Sequence, residues 1–512
     1  MASQTELFLD DHLIEMAASV TRRIHRPRKH LLNPILRPEM WWEGNQMLPY
    51  ATMYDEDEKI FKMWCRCGSD MREAYVDGHA AYCCYYTSQD GVHWERPMLG
   101  AVDFGGRRDH NVVFTGDEAS KCLTPQGKKG CIVSVVRHPH PKDENEKYVG
   151  LGFKMTKRGA YLGTSPDGIR WKFADEPFWQ TMLDPASWGD DQTKQLIYDT
   201  AKNKWVIYRR VIPEESERMM AQPGDENWEP VDRYYRVWSY AESDDLKEWR
   251  NYRIVVSMDA DDPSDTDVYN LTCHNYEQVY IGYLDVYRMG PESIDVQLIT
   301  SRNGVDFTRV CRRETFIPSG VEGYFDYMVM PGYQAKPLIV NDTVYLYYEG
   351  ANFGHDVPKF PPHGCTSVGL VTFKRDRFIS LQTGIPGPCR LVTKPLMVLH
   401  PKLFLNAATW GSGNIRVEAL TRDWKPIAGF TASECNIVRG NALAHPVRWK
   451  QNVDLARLTG KEIRLKFYME DARIHAMSMD DNERKLAAVD ASEESRESSG
   501  APSSFGAQQG IV

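Results

Sequence analysis

The chain has 512 residues, which is enough for two or three domains, and it carries a formal net charge of −9. This acidic balance argues against nucleic acid or a membrane surface as a partner, because both attract positively charged proteins. No apolar run is long enough to span a membrane, and residues 1–10 lack the segments of a signal peptide. We therefore predict a cytoplasmic protein.

The cysteines and aromatic residues narrow the class of protein further. Eleven cysteines are scattered without a Cys-x-x-Cys pair, and Cys83 and Cys84 adjoin each other in an apolar run. This pattern predicts reduced thiols and no metal site. The 14 tryptophans and 26 tyrosines suit flat, amphipathic surfaces that bind sugars.

Alternating runs of β-branched and aromatic residues, separated by short Gly- and Asp-rich breaks, dominate the first three quarters of the chain. Such runs predict an all-β fold. In chain order they form five units, at residues 48–54, 61–67 and 81–87; 131–137, 148–153 and 160–164; 195–198, 205–210 and 235–241; 271–276, 279–283 and 295–300; and 328–333, 344–348 and 367–373. Residues 378–381 are predicted to complete the fifth unit, with residues 7–9 pairing beside it. Five such units predict a five-bladed β-propeller.

A turn phrase, Ser-x-Asp-Gly-x-x-Trp, follows the third strand of the first two units and recurs in altered form in the next two. The intact copies begin at Ser88 and Ser165, and the looser copies begin at Ser243 and Ser301. Asp-Gly or Asn-Gly supplies the positive φ that a tight hairpin requires. We predict that the Ser and Asp side chains bond the amides of the turn and that the final aromatic packs between units. The Asp residues of the phrase are therefore predicted to be structural.

The pattern changes after a Pro- and Gly-rich break at residues 384–388. We predict that residues 1–384 form the catalytic propeller and that the shorter alternating runs over residues 385–480 form a β-sandwich. From residue 481 to residue 512 the sequence is acidic and rich in Ser, Gly and Ala, which predicts a disordered tail.

The candidate site follows from the geometry of a propeller. The first strands of all units surround one central channel, so polar residues just before these strands become neighbours. Four of the five predicted strand starts offer carboxylates, and the second offers none. These residues, with their polar neighbours, are Glu43 in the first unit; Asp190, Asp191 and Gln192 in the third; Asp265, Asp267, Tyr269 and Asn270 in the fourth; and Glu322 and Asp326 in the fifth.

Several carboxylates that face one small volume repel each other, which raises at least one pKa into the range of a general acid. Cleavage of a glycosidic bond requires such an acid and a second carboxylate that acts as base or nucleophile. Trp41 and Trp42 offer a stacking wall for a sugar ring, with Tyr324, Tyr269 and His355 as further contacts. For each of these residues, packing within the protein is an equally good interpretation.

Several segments resemble a known family. The opening Leu7-Phe8-Leu9-Asp10-Asp11, the turn phrase and Asp267-x-Tyr269-Asn270 are similar to glycoside hydrolase family 32 and related five-bladed families. Residues 404–407, 427–430 and 446–449 resemble the β-sandwich that follows the propeller in such proteins, so the resemblance spans roughly residues 5–478. It implies a catalytic propeller that hydrolyses glycosides.

The chain departs from the fructosidases of that family at their catalytic phrases. The phrases that carry the nucleophilic and the stabilising Asp are absent, and Glu-Cys occurs once, at Glu434-Cys435 within the predicted sandwich. The roles of individual acids therefore rest on their position before the first strands.

We predict a glycoside hydrolase that acts on a carbohydrate with water and without a cofactor. Asp191 and Asp267 are predicted as two of its acids, Glu322 as the general acid, and Asp326 or Glu43 as the remaining carboxylate. The sequence leaves retention and inversion of configuration open.

Two alternative functions use the same fold. A glycoside phosphorylase requires a cationic cluster beside the acid, for which the sequence offers Arg107, Arg108, Arg209 and Arg210. The other alternative is a non-catalytic propeller that binds carbohydrate.

Overall fold

A computed structural model of the protein describes residues 4–68, 81–115, 130–154, 159–180, 194–211, 236–334, 337–355, 364–384 and 387–481. Over these ranges the chain is built from β-strands, and its helical content is three short 3-10 turns, at Glu144–Glu146, Cys311–Arg313 and Ala456–Leu458. The prediction of an all-β chain is confirmed. No helix among the described residues is long and apolar enough to cross a membrane.

The strands are numbered in chain order. Four come first: β1 (Gln4–Leu7), β2 (Ile14–Ala18), β3 (Val20–Ile24) and β4 (Arg28–Lys29). The next twenty-three form five meanders: β5 (Gln46–Asp55), β6 (Ile60–Gly68), β7 (Ala81–Ser88) and β8 (Val112–Phe114); β9 (Gly130–Arg137), β10 (Tyr148–Lys154), β11 (Gly159–Ser165), β12 (Lys172–Phe173) and β13 (Trp179–Gln180); β14 (Lys194–Asp199), β15 (Lys204–Val211), β16 (Val237–Ser243) and β17 (Arg250–Val256); β18 (Thr266–Tyr276), β19 (Val279–Arg288), β20 (Ser293–Ser301), β21 (Thr308–Arg309) and β22 (Thr315–Ile317); and β23 (Met328–Pro331), β24 (Tyr333–Gln334), β25 (Leu338–Val340), β26 (Thr343–Ala351) and β27 (Thr366–Lys374). The last six are β28 (Ile379–Thr383), β29 (Cys389–Thr393), β30 (Leu396–Met397), β31 (Lys402–Thr421), β32 (Asn441–Val447) and β33 (Glu462–Asp480).

The chain divides into two compact units. Pro27–Arg375 forms the first, which we call the propeller unit. The residues up to Arg26 and from Asp376 onward form the second, which we call the terminal unit. The sequence-based boundary after residue 384 differs from this division, because the first strands of the chain pair with strands near its end.

The propeller unit consists of antiparallel meanders whose first strands form a closed circle. Strand β5 contacts β9, β9 contacts β14, β14 contacts β18, and β18 contacts β24. In the fifth meander β23 and β25 both pair with β26, so β23, β24 and β25 together serve as its first strand and β26 as its second. Strand β24 closes the circle by pairing in parallel with β5, at Tyr333 to Ala51 and Gln334 to Thr52. A circle of meanders joined at their first strands is a β-propeller, as predicted. The second strands are buried on both faces between neighbouring sheets, so β19 reads as a nearly continuous apolar run.

The fifth meander is completed by an N-terminal strand. Strand β27 pairs with β4, where Val371 lies opposite Lys29 and Thr372 lies opposite Arg28. Residues 378–381, which the sequence predicted for this position, lie in and next to β28, which pairs with β3 and β33 in the terminal unit. Residues 7–9 also do not pair beside the fifth meander, since β1 pairs with β33. Alternation identifies these runs as strands but carries no information about their distant partners.

The turn phrase has the same geometry in all four copies. In the second copy, Ser165 Oγ accepts from the Gly168 amide at 2.9 Å, and Asp167 Oδ1 accepts from the amides of Ile169 and Arg170 at 2.9 and 2.8 Å. The other three copies repeat these bonds, with Asn303 in place of Asp in the fourth. The predicted bonds of the turn are therefore present.

Three of these turns also lock their meander to the one before it in the circle. The Trp64 indole of the first meander donates to the Gly168 carbonyl in the second at 2.7 Å. The hydroxyls of Tyr208 and Tyr347 donate in the same way to the carbonyls of Gly304 at 2.7 Å and Gly91 at 2.8 Å. The three donors occupy the fifth position of β6, β15 and β26. The Tyr347 contact joins the fifth meander to the first, so the locks help to close the circle.

The terminal unit is a nine-stranded sheet around one apolar core. The long strands β31 and β33 pair along most of their length, with a register shift between Thr409 and Asn414. Strands β1, β28 and β29 add to β33, and β2 and β3 extend the sheet further. The core includes Phe8, Leu405, Trp449 and Phe467. Residues 482–512, predicted to be a disordered tail, lie outside the described ranges.

Candidate active site

The second strand of every meander carries a charged residue at its seventh position. These residues are Arg66 in β6, Lys154 in β10, Arg210 in β15, Asp285 in β19 and Glu349 in β26. Antiparallel pairing places them at the starts of the first strands, with Arg66 opposite Leu48, Lys154 opposite Gly130, Asp285 opposite Asn270 and Glu349 opposite Met330. Because the first strands form a closed circle, all five backbone positions lie at one end of it. We call this set the charged ring.

Partly exposed side chains show that this end of the circle is open to solvent. Tyr50, Arg66, Tyr269, Met330 and His355 each keep part of their surface accessible. Tyr50 and Tyr333 lie with their ring centres 6.1 Å apart, and Arg66 lies within hydrogen-bonding range of the Tyr50 hydroxyl. The open end therefore combines aromatic surface with charged groups, a composition that suits a polar ligand with apolar faces.

Two carboxyl groups of the charged ring are buried. Burial raises the pKa of Glu349 to about 8, although the positive charge of Arg66 acts against the shift. Burial also raises the pKa of Asp285 well above its usual value; the Asn270 amide opposes this shift and the charge of Glu349 adds to it. Neither oxygen of Asp285 accepts a well-formed hydrogen bond from the described residues. Glu349 is therefore mostly protonated at neutral pH and can donate a proton.

Asp267, at the second position of β18, is the predicted acid that the structure places beside the charged ring. Its carboxylate is buried and forms an ion pair with Arg236, with 2.8 Å between Oδ2 and Nη1. The Arg236 amide donates to Oδ1 at 3.2 Å. Burial raises the pKa of Asp267, whereas the charge and hydrogen bonds of Arg236 favour its ionised form. A carboxylate held in this way can act as a base or a nucleophile.

Tyr269 lies between the arginines and the accessible surface. The guanidinium carbons of Arg210 and Arg236 each lie 5.0 Å from the centre of its ring. Arg210 also donates to the Tyr269 carbonyl at 3.3 Å, and the Tyr269 hydroxyl shares a hydrogen bond of 2.8 Å with His355 Nε2. Tyr269 and His355, both predicted as substrate contacts, are thus in direct contact with each other.

Asn270, another predicted contact residue, connects the two sides of the ring. The Tyr333 hydroxyl donates to Asn270 Oδ1 at 2.8 Å, and the Asn270 side chain adjoins Asp285. Since Tyr333 packs against Tyr50, a continuous set of contacts runs from the acidic meanders to Arg66.

Glu43 has a different environment from the one predicted. It is fully buried in the turn before β5, where Oε2 accepts from the amides of Glu39 and Met40 at 2.8 and 2.9 Å. Its Oε1 accepts from the Tyr86 hydroxyl and from Arg96 Nε, both at 2.7 Å. Four donors occupy the two oxygens, so we assign Glu43 to holding this turn rather than to catalysis.

Asp326 and Glu322 also lie apart from the charged ring. Asp326 is buried, and its Oδ2 accepts from Lys29 at 2.6 Å and from the Tyr348 hydroxyl at 3.1 Å. Lys29 belongs to β4, so this ion pair fastens the strand that completes the fifth meander. Glu322 lies on the loop before β23 and is exposed, as is the nearby Tyr324. Glu322 therefore does not belong to the buried acids of the charged ring.

Trp41 and Trp42 lie in the loop before β5 and are both engaged by protein groups. Trp42 is buried and donates to Asn111 Oδ1 at 2.7 Å. Trp41 is half exposed, stacks on Phe104 with 6.0 Å between ring centres, and has the Arg107 guanidinium 5.4 Å from its ring. Packing accounts for Trp42, whereas Trp41 retains an accessible edge. The predicted residues Asp191 and Gln192 lie outside the described ranges.

The sequence-based search missed Arg66, Arg236, Asp285 and Glu349. The predicted acids precede the first strands, whereas Arg66, Asp285 and Glu349 come from the second strands. The sequence nevertheless contains a signal for these three residues, because a charged residue recurs at the same distance from the start of each second strand. Arg236 immediately precedes β16 and stands in no such pattern.

A metal ion has no evident place among the described residues, where no group of three or more His, Cys, Asp and Glu side chains could hold one. The chemistry that this end of the circle offers is acid–base chemistry. It provides a protonated carboxyl group in Glu349, an ion-paired carboxylate in Asp267, and cations that stabilise negative charge.

The chain matches no protein-family model and no curated protein. Solved structures with a similar arrangement include a glycosyl hydrolase from Bacteroides ovatus, at 16% identity and a TM-score of 0.42 over 69% of this chain and 94% of that chain. A β-1,2-mannobiose phosphorylase from Listeria innocua has 11% identity and a TM-score of 0.41 over 69% and 97%. A fructofuranosidase from Schwanniomyces occidentalis complexed with fructosylnystose has 10% identity and a TM-score of 0.40 over 91% and 98%. At these values we transfer no activity from them.

Proposed function

We propose that this protein cleaves glycosidic bonds at the charged ring. The observation that carries the proposal is the contrast between Glu349, whose buried carboxyl group has a pKa of about 8, and Asp267, which is ion-paired with Arg236. Glycoside cleavage requires one carboxyl group that is protonated at working pH and one that is charged.

In this proposal Glu349 protonates the leaving oxygen and Asp267 acts as base or nucleophile. Asp285 adjoins Asn270, and the charge of Glu349 adds to the effect of burial in raising the pKa of Asp285. Tyr50 and Tyr269 provide partly exposed aromatic surface for the sugar. Asp191, predicted from sequence as a further acid, remains a candidate. Membership of a branch similar to glycoside hydrolase family 32 also remains a prediction.

A screen of aryl and natural glycosides with product analysis tests the proposal. Glu349→Gln and Asp267→Asn should each lower kcat/KM on the best substrate by about 10²–10⁴-fold, the usual size of an acid–base contribution. Glu248→Gln, an exposed change in the third turn, is the matched control and should leave turnover unchanged. Variants that melt like the parent protein and keep full activity would overturn these assignments.

Phosphorolysis is a second candidate, favoured by Arg210 and Arg236 beside Asp267. Arginine pairs bind phosphate well because their planar forks match its oxygens. Two of the arginines predicted for this role do not contribute, since Arg107 and Arg108 are exposed and bond Asp109 and the Gly100 carbonyl. Turnover that requires inorganic phosphate and releases a sugar phosphate would assign this function. Binding of glycans without turnover under either condition would assign the non-catalytic alternative.

A further inference from the structure

Arg66 is the cation of the charged ring that lies in the meander next to Glu349. The two side chains occupy equivalent places, because each stands at the seventh position of a second strand, opposite a residue of the adjoining first strand. The first and fifth meanders approach each other closely at this end, where a Cβ added to Gly332 would lie 1.9 Å from the Pro49 carbonyl oxygen. The positive charge of Arg66 therefore acts on the carboxyl group of Glu349.

The guanidinium of Arg66 is held by a neutral partner. It lies within hydrogen-bonding range of the Tyr50 hydroxyl, and burial raises the pKa of Tyr50, so this hydroxyl stays protonated at neutral pH. The Nε atom of Arg66 is buried and has no hydrogen-bond partner among the described residues. Glu349, whose charge would act on Arg66, is mostly protonated at neutral pH. The guanidinium is thus in place before a negative charge forms beside it.

We propose that Arg66 stabilises the carboxylate that Glu349 becomes once it has protonated the leaving oxygen, which makes Arg66 a positioning residue for the acid. The inference rests on the proposed function, because it concerns the same reaction. In that step the O–H bond of Glu349 breaks, an O–H bond forms on the glycosidic oxygen, and the electron pair of the breaking C–O bond stays on that oxygen. A proton from the water consumed in hydrolysis later restores the acid form of Glu349.

The charges around Glu349 explain why a cation is needed there. The groups that face it are Arg66 and Tyr50 from the first meander and Asp285 from the fourth. Tyr50 and Asp285 become negative when they ionise, and burial favours the protonated form of both, so Arg66 is the positive group of the three. A buried carboxylate without a counter-charge is costly. Because a cation attracts a neutral acid only weakly, Arg66 interacts more strongly with the transition state than with the ground state.

The proposal predicts that Arg66 matters most for glycosides whose leaving group needs a proton. On 4-methoxyphenyl glycosides of the sugar that the screen selects, Arg66→Gln should lower kcat by about 10–10²-fold and change KM by less than about 3-fold. A 2,4-dinitrophenolate leaves without protonation, so turnover of the 2,4-dinitrophenyl glycoside should change by less than about 3-fold. Glu349→Gln should show the same pattern with a larger loss on the 4-methoxyphenyl glycoside.

Two further variants test whether the effect comes from the charge. Arg66→Lys keeps the positive charge and should hold kcat on both glycosides within about 5-fold of the parent value. Arg170→Gln, an arginine of the second turn with 75% of its side chain exposed, is the matched control and should change neither rate. Thermal unfolding shows whether each variant remains folded.

The pH dependence of the reaction gives a readout that a structural role would not move. In the parent protein kcat/KM should fall above about pH 8, where Glu349 loses its proton. The charge of Arg66 favours the ionised form of Glu349, so Arg66→Gln should move this fall upward by about one pH unit. An equal loss on both glycosides, with the fall at the parent's pH, would show that Arg66 only supports the fold and would overturn the inference.

An unfolding measurement separates this inference from the proposed function. The stability that the proton on Glu349 contributes is lost as the pH rises to about 8. In Arg66→Gln this loss should extend to about pH 9, because the pKa of Glu349 in the folded protein is higher without the cation. Urea unfolding at a series of pH values measures where the loss ends.

The two results have separate meanings. A loss of stability that ends at the same pH in Arg66→Gln and in the parent protein would overturn the inference, even if the protein cleaves glycosides. Absence of glycoside turnover in the parent protein would overturn the proposed function. An extended loss of stability in Arg66→Gln would in that case still show that Arg66 stabilises the Glu349 carboxylate.

Discussion

The aspartates of the repeated turns and the acids of the charged ring belong to different meanders and lie at opposite ends of them, and their pKa values shift in opposite directions. Partial burial opposes the shift at Asp90 and Asp167, but amides of the turn and a neighbouring side chain lower the pKa of both. At Asp285 and Glu349 burial dominates and raises the pKa. Hydrogen bonds from adjacent residues keep an aspartate charged as part of a turn. Burial by strands that are distant in the chain favours the protonated form of a carboxyl group, which can then transfer a proton.

The largest effect expected from this comparison is on catalysis. Glu349→Gln should lower kcat/KM by at least about 10²-fold, whereas Asp167→Asn should leave it within about 2-fold of the parent value. The reason is that only Glu349 lies in the charged ring, while Asp167 caps a turn at the other end. Equal losses of kcat/KM in both variants would show that the charged ring and the end with the turns do not have separate roles.

The second effect is a loss of stability with rising pH. Glu349 releases its proton near pH 4.5 in the unfolded chain and near pH 8 in the folded protein. The folded state therefore binds more protons between these values, so the free energy of unfolding should fall by up to about 1.4 kcal/mol per pH unit across this window. Urea unfolding at a series of pH values measures the slope. In Glu349→Gln this contribution to the slope should disappear, and an unchanged slope would contradict the assignment.

The third effect concerns the lock between meanders. Gly168 has a φ of +79°, and a Cβ added there would lie 2.6 Å from the Trp64 ring. Gly168→Ala should therefore cost about 2–4 kcal/mol, from the left-handed backbone and the clash with a packed ring. Gly106 has a φ of +76° and no heavy atom within 4 Å of such a Cβ, so Gly106→Ala isolates the backbone cost of about 1–2 kcal/mol. If chemical denaturation shows that Gly168→Ala and Gly106→Ala lose the same free energy of unfolding, the contact with Trp64 contributes nothing.

The smallest effect is expected within the turn itself. Asp167→Asn should lower the free energy of unfolding by less than about 1 kcal/mol, because an Asn oxygen can accept the same two amide bonds. The fourth turn already uses this solution, with Asn303 Oδ1 accepting from Val305 at 3.0 Å and Asp306 at 2.9 Å. Asp167→Ala removes the single oxygen that accepts both amide bonds and should cost more than Asp167→Asn. The reverse order in urea unfolding would contradict the capping role.

Prediction from sequence succeeded where a few consecutive residues decide the structure. The strands of the five units and the bonds of the turns follow from alternation and from the positive φ of Gly91, Gly168 and Gly304. Asp267, Tyr269 and Asn270 were predicted at the start of β18 and lie together beside the charged ring. In contrast, Glu43 had the same local signal as Asp267 and is held by four donors in a turn.

The sequence by itself therefore determined the all-β class, the positions of the strands and the structural role of the turn aspartates. Only the tertiary structure decided that β4 completes the fifth meander, that Arg236 pairs with Asp267, and that Glu349 is desolvated enough to hold a proton. The physical reason is the distance along the chain over which each effect acts. Strand propensity and turn caps depend on neighbours within a few residues, whereas burial and charge pairing depend on strands that are distant in the chain.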